Sequence, residues 1–393
     1  MKFLVSAGEA SGELYAAGVV ARLREMYPEA SFYGCAGSRL RELDVKPVVD
    51  AAALSVVGLA EVVRHLPRIY GEYRKLLRFA GQNPPDAALL TDSPDFHLRV
   101  AGQMKRMGVP VFYLVAPQVW AWRPGRVKII RERVDKLFCL FPFEESWFRE
   151  RGVDATYIGH PLASLVRKQM ARAEFFERHD LIKDAKTVVL LPGSRPVEVR
   201  RHLPILLECA AALRRRFALN VLLATPAGFP SDRVLTTFRE PLRMLSIQVI
   251  ENETWDCVGH ADVALTASGT VTIEAAVLGT PMVTFYRVNP FSWWAGRRLV
   301  KVPFLSMVNL IADRPIVPEL MQQELTAARL AAAAEELLSD EVRAERMRAD
   351  LARVRVALTR EGDAFQRASD LMARALGTMA CERAGTANLS GRQ

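Results

Sequence analysis

The sequence predicts an α/β protein built on parallel sheets, and three observations predict it. Short β-branched and aromatic runs alternate with amphipathic stretches along most of the chain, the pattern of βα units whose sheet is covered by helices. That series stops after Ile158 in a polar, helix-rich passage and restarts near Lys186. Each series opens with a strand running into a small-residue loop and then a helix, Gly8-Glu9-Ala10-Ser11-Gly12 in one and Pro192-Gly193-Ser194-Arg195 in the other. Two Rossmann-like halves follow from this repetition.

In chain order, the expected strands of the first half are KFLVSA, SFYGC, AALLTD, VFYLVA, KLFCLF and TYIG. Those of the second are TVVLLPGS, NVLLAT, SIQVI, DVALTA and MVTFY. The expected division is a first domain over 1–170, a second over 171–345 and C-terminal helices over 346–376 that either cross back to the first domain or exchange with a partner copy in a homodimer. Beyond Leu325, Ala, Arg, Glu and Leu recur at helical spacing. The polar end, 377–393, is expected to be disordered.

Composition narrows the function classes. The 393 residues are 50% hydrophobic and 25% charged, which excludes intrinsic disorder, collagen and a disulfide scaffold. Fifty-three Lys and Arg against 44 Asp and Glu leave a net charge of +9, so the surface should attract anions. Scattered arginines and the lack of any recognisable nucleic-acid motif argue against nucleic acid as the partner. No stretch approaches the ~18 to 20 apolar residues that a membrane-spanning helix needs, so membrane attachment would be peripheral. Cys35, Cys139, Cys209, Cys257 and Cys381 are widely spaced without zinc-type pairing, which reads as reduced core thiols in a cytosolic protein. Neither a metal nor a cofactor is implied.

Ligands of open α/β sheets bind at the carboxyl ends of the strands, and two facing sheets would put that crevice between the domains. The loops match neither the Walker phosphate loop nor a full G-x-G-x-x-G, which weakens ATPase and NAD readings. Ser268, Gly269 and Thr270 follow the strand DVALT where a helix starts, so free amides and two hydroxyls can receive phosphate oxygens. Glu274, one turn further in, is spaced to accept hydrogen bonds from the two hydroxyls of a ribose. A plain N-cap with an exposed glutamate is the alternative.

In the first half, Asp92 and Asp95 of Thr91-Asp92-Ser93-Pro94-Asp95-Phe96 both follow a strand and precede a helix. One is expected to be a cap, and the other to take a proton from an attacking hydroxyl. His97 is a candidate to orient that carboxylate, with a structural histidine as the alternative, and His160 in Ile158-Gly159-His160-Pro161 has the same two readings. Arg195, followed by Glu198 and Arg200, is positioned to offset charge on a departing diphosphate.

Residues 59–80 carry Val62, Val63, Leu66, Ile69, Tyr70, Tyr73, Leu76 and Leu77 at helical spacing, with Arg64, Arg68, Arg74, Lys75 and Arg78 among the rest and Pro67 inside. The pattern suits the plane of an anionic membrane as well as a core-packed helix with a basic outer side. Trp293-Trp294-Ala295-Gly296-Arg297-Arg298 is a shorter stretch of the same kind.

Taken together, AGEASGE, TDSPDF, APQVWAWRPGRV, LFPFE, IGHP, LLPGSR, ASGT followed by Glu274, and VNLI resemble the lipid-A-disaccharide synthase family of bacterial glycosyltransferases. The resemblance implies a GT-B architecture, with the donor nucleotide held mainly by the C-terminal domain and the acceptor by the N-terminal one. It implies transfer of 2,3-diacylglucosamine from its UDP-activated form to the 6-hydroxyl of 2,3-diacylglucosamine 1-phosphate, giving a β-1,6 disaccharide and UDP with inversion. An inverting transfer needs one base on the acceptor side. In the resemblance that base is Asp95, with Arg195 and Asn309 also associated with activity, Ser194, Ser268, Gly269, Thr270 and Glu274 at the nucleotide, and Glu9, Ser11 and Gly12 in an acceptor or donor loop. Because both substrates are acylated, Val63, Arg64, Leu66, Arg68, Ile69, Tyr70, Tyr73 and Leu76 become candidates for membrane or acyl-chain contact. The expected location is then the cytoplasmic face of the inner membrane, whose anionic surface is itself a partner. Another GT-B glycosyltransferase, adding N-acetylglucosamine to a lipid-linked muramyl peptide, is the nearest competing activity, and a non-catalytic UDP-sugar sensor or a nucleic-acid binder is the rival of another class.

Overall fold

The computed structural model describes residues 1–54, 59–289 and 302–390, with the side chains of 10, 59–65 and 379–390 left out. The chain forms two compact units, Met1–Pro161 with Arg360–Gln393, and Leu162–Thr359. The first division falls before the expected 170/171. The second lies beyond 345, because the helix Glu341–Leu358 packs in the second unit, on Thr270–Leu278 and Met307–Ala312.

The first unit is a parallel sheet of β1 (Lys2–Ser6), β2 (Ser31–Ala36), β3 (Lys46–Asp50), β4 (Ala87–Thr91), β5 (Val111–Leu114), β6 (Lys136–Cys139) and β7 (Ala155–Tyr157), in the order β3-β2-β1-β4-β5-β6-β7. The second is built from β8 (Lys186–Leu191), β9 (Leu219–Thr225), β10 (Ile247–Glu251), β11 (Val263–Ala267), β12 (Met282–Tyr286) and β13 (Glu319–Met321), in the order β10-β9-β8-β11-β12-β13. Both follow the Rossmann order, whose reversal lies between β1 and β4 in one sheet and between β8 and β11 in the other. Central strands such as AALLT and VALTA are buried throughout, because helices cover both faces of a parallel sheet.

Two strands were not expected, and both lie at sheet edges. β3 contains Pro47, which cannot donate to a ladder and so disguises an edge strand. β13 is only three residues long and carries no apolar run.

The C-terminal segment returns to the first unit. Helix Ala364–Ser390 packs on Ala10–Met26, where Gly18 leaves room for Phe365, whose ring carbon would stand 2.5 Å from an added Cβ. Arg22 pairs with Asp363 at 3.1 Å, and Arg367 Nη1 donates to the Ile158 carbonyl at 2.6 Å. The helix Ala364–Ser390 extends into 377–393, the stretch expected to be disordered.

Of the cysteines with described side chains, Cys35, Cys139, Cys209 and Cys257 are buried free thiols, and burial pushes each thiol pKa up. Trp293 to Arg298 and the side chains of Val62, Val63, Arg64 and Cys381 lie outside the described residues.

Candidate functional site

At the reversal point of the first sheet, the carboxyl ends of β1 and β4 bring Gly8 and Asp92 together. The Gly8 amide donates to Asp92 Oδ1 at 2.9 Å and Oδ2 at 3.2 Å, and the Glu9 amide donates to Oδ2 at 3.1 Å. Asp92 and Ser93 have φ of 50° and 36°, a left-handed turn that aspartate tolerates and serine seldom adopts. The turn is fixed from beneath. His97 Nδ1 lies 3.0 Å from the Asp92 carbonyl, its Nε2 lies 2.7 Å from Ser6 Oγ, and the Tyr113 hydroxyl donates to the same Asp92 carbonyl.

The Asp92 side chain is 11% exposed, and its pKa rises to about 7 because burial disfavours the anion more than Ser93 and the Gly8 and Glu9 amides favour it. Burial lowers His97 to about 4, so a neutral imidazole holds the Asp92 backbone. The histidine does not orient the carboxylate, which stays 3.7 Å from Nδ1.

Asp95 stands differently. It lies in the first turn of the Pro94–Arg106 helix with a side chain 70% exposed, ion-paired with Arg126. Glu9 is the exposed N-cap of the Ala10–Met26 helix, Ser11 is half-buried, and Gly12 is buried against Asp92. His160 is buried, edge-on to Tyr15 with centroids 6.0 Å apart, and burial lowers its pKa to about 3, which fits its structural reading.

The second sheet presents its own edge. Arg195 caps the Pro196–Arg214 helix: its amide meets Glu198 Oε2 and its Nη1 meets Oε1, both at 3.3 Å, while the Tyr286 hydroxyl donates to Oε1 at 2.8 Å. Gly193 has φ of 123°, and a Cβ there would come within 2.5 Å of Glu198, so the turn requires glycine. Ser194 is exposed beside it. His202 ties the loop after β8 to the end of β12. Its Nε2 accepts from the Arg287 amide at 3.2 Å, which leaves Nδ1 to donate to the Pro192 carbonyl at 2.7 Å.

After β11, Gly269 caps the Thr270–Leu278 helix without a side-chain cap, and nothing lies within 4 Å of an added Cβ there. Gly269 and Thr270 are exposed, leaving the helix N-terminus open. The Ser268 hydroxyl donates to the Leu305 carbonyl at 3.2 Å. Glu274, partly accessible, has its pKa raised to about 7 by burial, against a hydrogen bond from Trp255.

Asn309 is fully buried, and the protein itself saturates it. Its Nδ2 donates to the Val317 carbonyl at 2.9 Å and to Glu319 Oε1 at 2.7 Å, and its Oδ1 accepts from the Ile316 and Val317 amides at 2.8 and 3.0 Å. Glu319 in turn accepts the Leu305 and Ser306 amides at 3.0 and 2.9 Å. Asn309 is thus a positioning residue for the loop that receives Ser268.

The segment expected at a membrane lies in the helix Leu59–Gln82 and splits by face. Leu66 and Tyr70 are 48% and 58% exposed, and Arg68 is exposed, whereas Ile69 and Tyr73 pack on the core. Leu76 is 0% exposed, so its expected membrane contact is corrected to a core position.

Sequence reasoning left Asp92 and Asp95 open on chemistry and chose Asp95 on resemblance. Nothing local in either motif separates the two, because the glycines of AGEASGE meet Asp92 only in the fold.

Against known proteins, the sequence profile of the lipid-A-disaccharide synthetase family matches residues 3–373. Lipid-A-disaccharide synthase of Solibacter usitatus is 55% identical over 354 residues, covering 90% of this chain and 92% of that one. The enzyme of the same name from Myxococcus xanthus is 41% identical over 372 residues, covering 94% and 97%. Among solved structures, a UDP-GlcNAc 2-epimerase from Neisseria meningitidis bound to UDP-GlcNAc superposes with a TM-score of 0.59 at 12% identity, covering 96% of this chain and 100% of that one. The glycotransferase of kitacinnamycin does so with a TM-score of 0.61 at 17% identity, covering 95% and 98%. These two likenesses show the fold alone, a GT-B fold of two Rossmann-like units. The sequence relatives, matched along nearly the whole chain, show more: the chain belongs to the lipid-A-disaccharide synthetase family, glycosyltransferases that form the lipid A disaccharide.

Proposed function

We propose that the chain condenses UDP-2,3-diacylglucosamine with 2,3-diacylglucosamine 1-phosphate by an inverting transfer in which Asp92 is the base. The acceptor 6-hydroxyl gives its proton to the Asp92 carboxylate as its oxygen bonds to the donor anomeric carbon. The bond from that carbon to the diphosphate breaks on the opposite face, and UDP leaves. The observation that carries this reading is a carboxylate at the first sheet's reversal point whose pKa, about 7, matches a base working near neutral pH. Asp95, exposed and paired to Arg126, takes no proton in this reading.

On the donor side, the open helix N-terminus at Gly269 and Thr270, with Ser194 on the adjacent strand end, supplies amides and hydroxyls for the diphosphate, while Ser268 anchors the turn through its bonds to Leu305 and Phe285. Arg195 offsets the charge that builds on it, and Glu274 accepts the ribose hydroxyls. Asn309 acts through the loop it holds. Neighbours such as the Neisseria meningitidis epimerase, bound to UDP-GlcNAc, support a UDP-sugar as donor.

Acylated substrates stay in a bilayer, so the enzyme works at its surface, on the cytoplasmic side of the inner membrane. Leu66 and Tyr70, exposed one turn apart on one helix, suit contact with a membrane interface. No helix among the described residues is long and apolar enough to cross a membrane. The deciding experiment is Asp92→Asn, assayed for transfer and for UDP binding. Lost transfer with intact UDP affinity supports the base, and undiminished transfer removes it.

A further inference from the structure

The loop after β5 holds a cluster that the reaction above leaves unassigned. Trp122 is exposed, and the Arg123 guanidinium lies over its ring, 4.1 Å from the centroid, with the Arg126 guanidinium 6.0 Å from the same centroid. Arg123 is exposed and Arg126 half-buried. An exposed indole presents a flat apolar face, and a guanidinium lying against it can still donate to an oxyanion in its own plane.

The cluster is held in place from behind. Val115, where β5 ends, has φ of 66°, a conformation that a β-branched residue adopts only when its surroundings impose it. Trp120 Nε1 donates to the buried carboxylate of Glu144 at 3.1 Å, and the Phe141 amide donates to the other oxygen at 3.2 Å. Arg126 reaches across to Asp95, whose turn also carries Asp92. The loop is thereby tied to the proposed base.

From this geometry we infer that Trp122, Arg123 and Arg126 form the subsite that binds the phosphomonoester of the sugar acceptor, the sugar ring lying against the indole and its phosphate between the guanidiniums. This rests on the acceptor assignment proposed above and adds the group that recognises it. Asp95 holds Arg126 while the subsite is empty, and a dianionic phosphate displaces that carboxylate because it offers more charge and more acceptor oxygens. The apolar indole face and the adjacent carboxylate turn favour a sugar phosphate over a bilayer headgroup as the source of the anion.

The test compares two acceptors, diacylglucosamine with and without its 1-phosphate, on the wild type, Arg123→Gln and Arg123→Gln/Arg126→Gln. Wild-type transfer to neither acceptor would refute the acceptor assignment itself. Given wild-type transfer, the expected result is a fall of roughly tenfold or more in kcat/KM for the phosphorylated acceptor in each variant. The unphosphorylated acceptor and the KM for the donor should change little. Equal losses on both acceptors would overturn the subsite, as would a selective loss of binding to anionic phospholipid vesicles with the acceptor preference unchanged. Arg123 is exposed, so its single variant keeps the test valid should the double variant fold poorly.

Discussion

A methyl group placed on Gly12 would sit 1.8 Å from Asp92 Oδ2. The first turn of the Ala10–Met26 helix therefore runs against a carboxylate eighty residues further along the chain, and only a glycine lets it pass. Gly12→Ala must push the carboxylate off the Gly8 and Glu9 amides. We expect a loss of transfer of roughly 100-fold or more, from a displacement on the order of 1 Å, with UDP affinity unchanged. Full activity in Gly12→Ala would show that the Asp92 position is immaterial.

The raised pKa of Asp92 gives a pH dependence with a definite sign. A base must be deprotonated, and burial moves that ionisation up to about 7, so kcat/KM for the acceptor should rise as pH increases through about 7 and level off above it. Asp92→Asn should lower the rate by roughly 10²- to 10⁴-fold and abolish the rise. Asp95→Asn should retain both the rate near neutral pH and the rise. A wild-type profile already flat from pH 5 to 8 would contradict the assignment.

Glu274 is raised to about 7 by burial as well, and it acts on binding instead. Its ionised form is the better acceptor for ribose hydroxyls, so UDP should bind more tightly as pH rises through about 7. Glu274→Gln should weaken UDP roughly tenfold at pH 8 and remove that dependence, as calorimetry would read directly. An unchanged affinity would move the ribose elsewhere.

Asn309 should behave as a structural residue. Asn309→Ala leaves the buried Val317 amide without its partner and takes one hydrogen bond each from the Ile316 amide, which keeps the Arg314 carbonyl, and from Glu319, which keeps the Leu305 and Ser306 amides, a loss of about 1 to 3 kcal/mol for the group left unsatisfied. A lower Tm together with a raised donor KM is expected. A pure fall in kcat with unchanged Tm would instead put the amide on the reacting atoms.

The helix Leu59–Gln82 separates membrane contact from core. Leu66→Ser with Tyr70→Ser should weaken binding to anionic vesicles and leave Tm near that of the wild type, because both side chains are exposed. Leu76→Ala should cost about 2 to 5 kcal/mol of stability, because Leu76 is fully buried. Unfolding by the double serine variant would make the whole helix core.

The sequence by itself determined the two series of βα units, the loops at their strand ends and the open helix start after Ala267, because hydrophobic period and turn chemistry are local properties of the chain. It also carried the family, through motifs spread over most of its length. Only the tertiary structure decided which of Asp92 and Asp95 is buried, that Asn309 is saturated by its own loop, that Leu76 belongs to the core, and that β3 and β13 complete the sheets. Asp92 owes its shielding to Gly8, Glu9 and Gly12, and Asn309 its role to Glu319. Burial and hydrogen bonding of this kind belong to pairs of residues, and a pair exists only once folding has brought distant segments together.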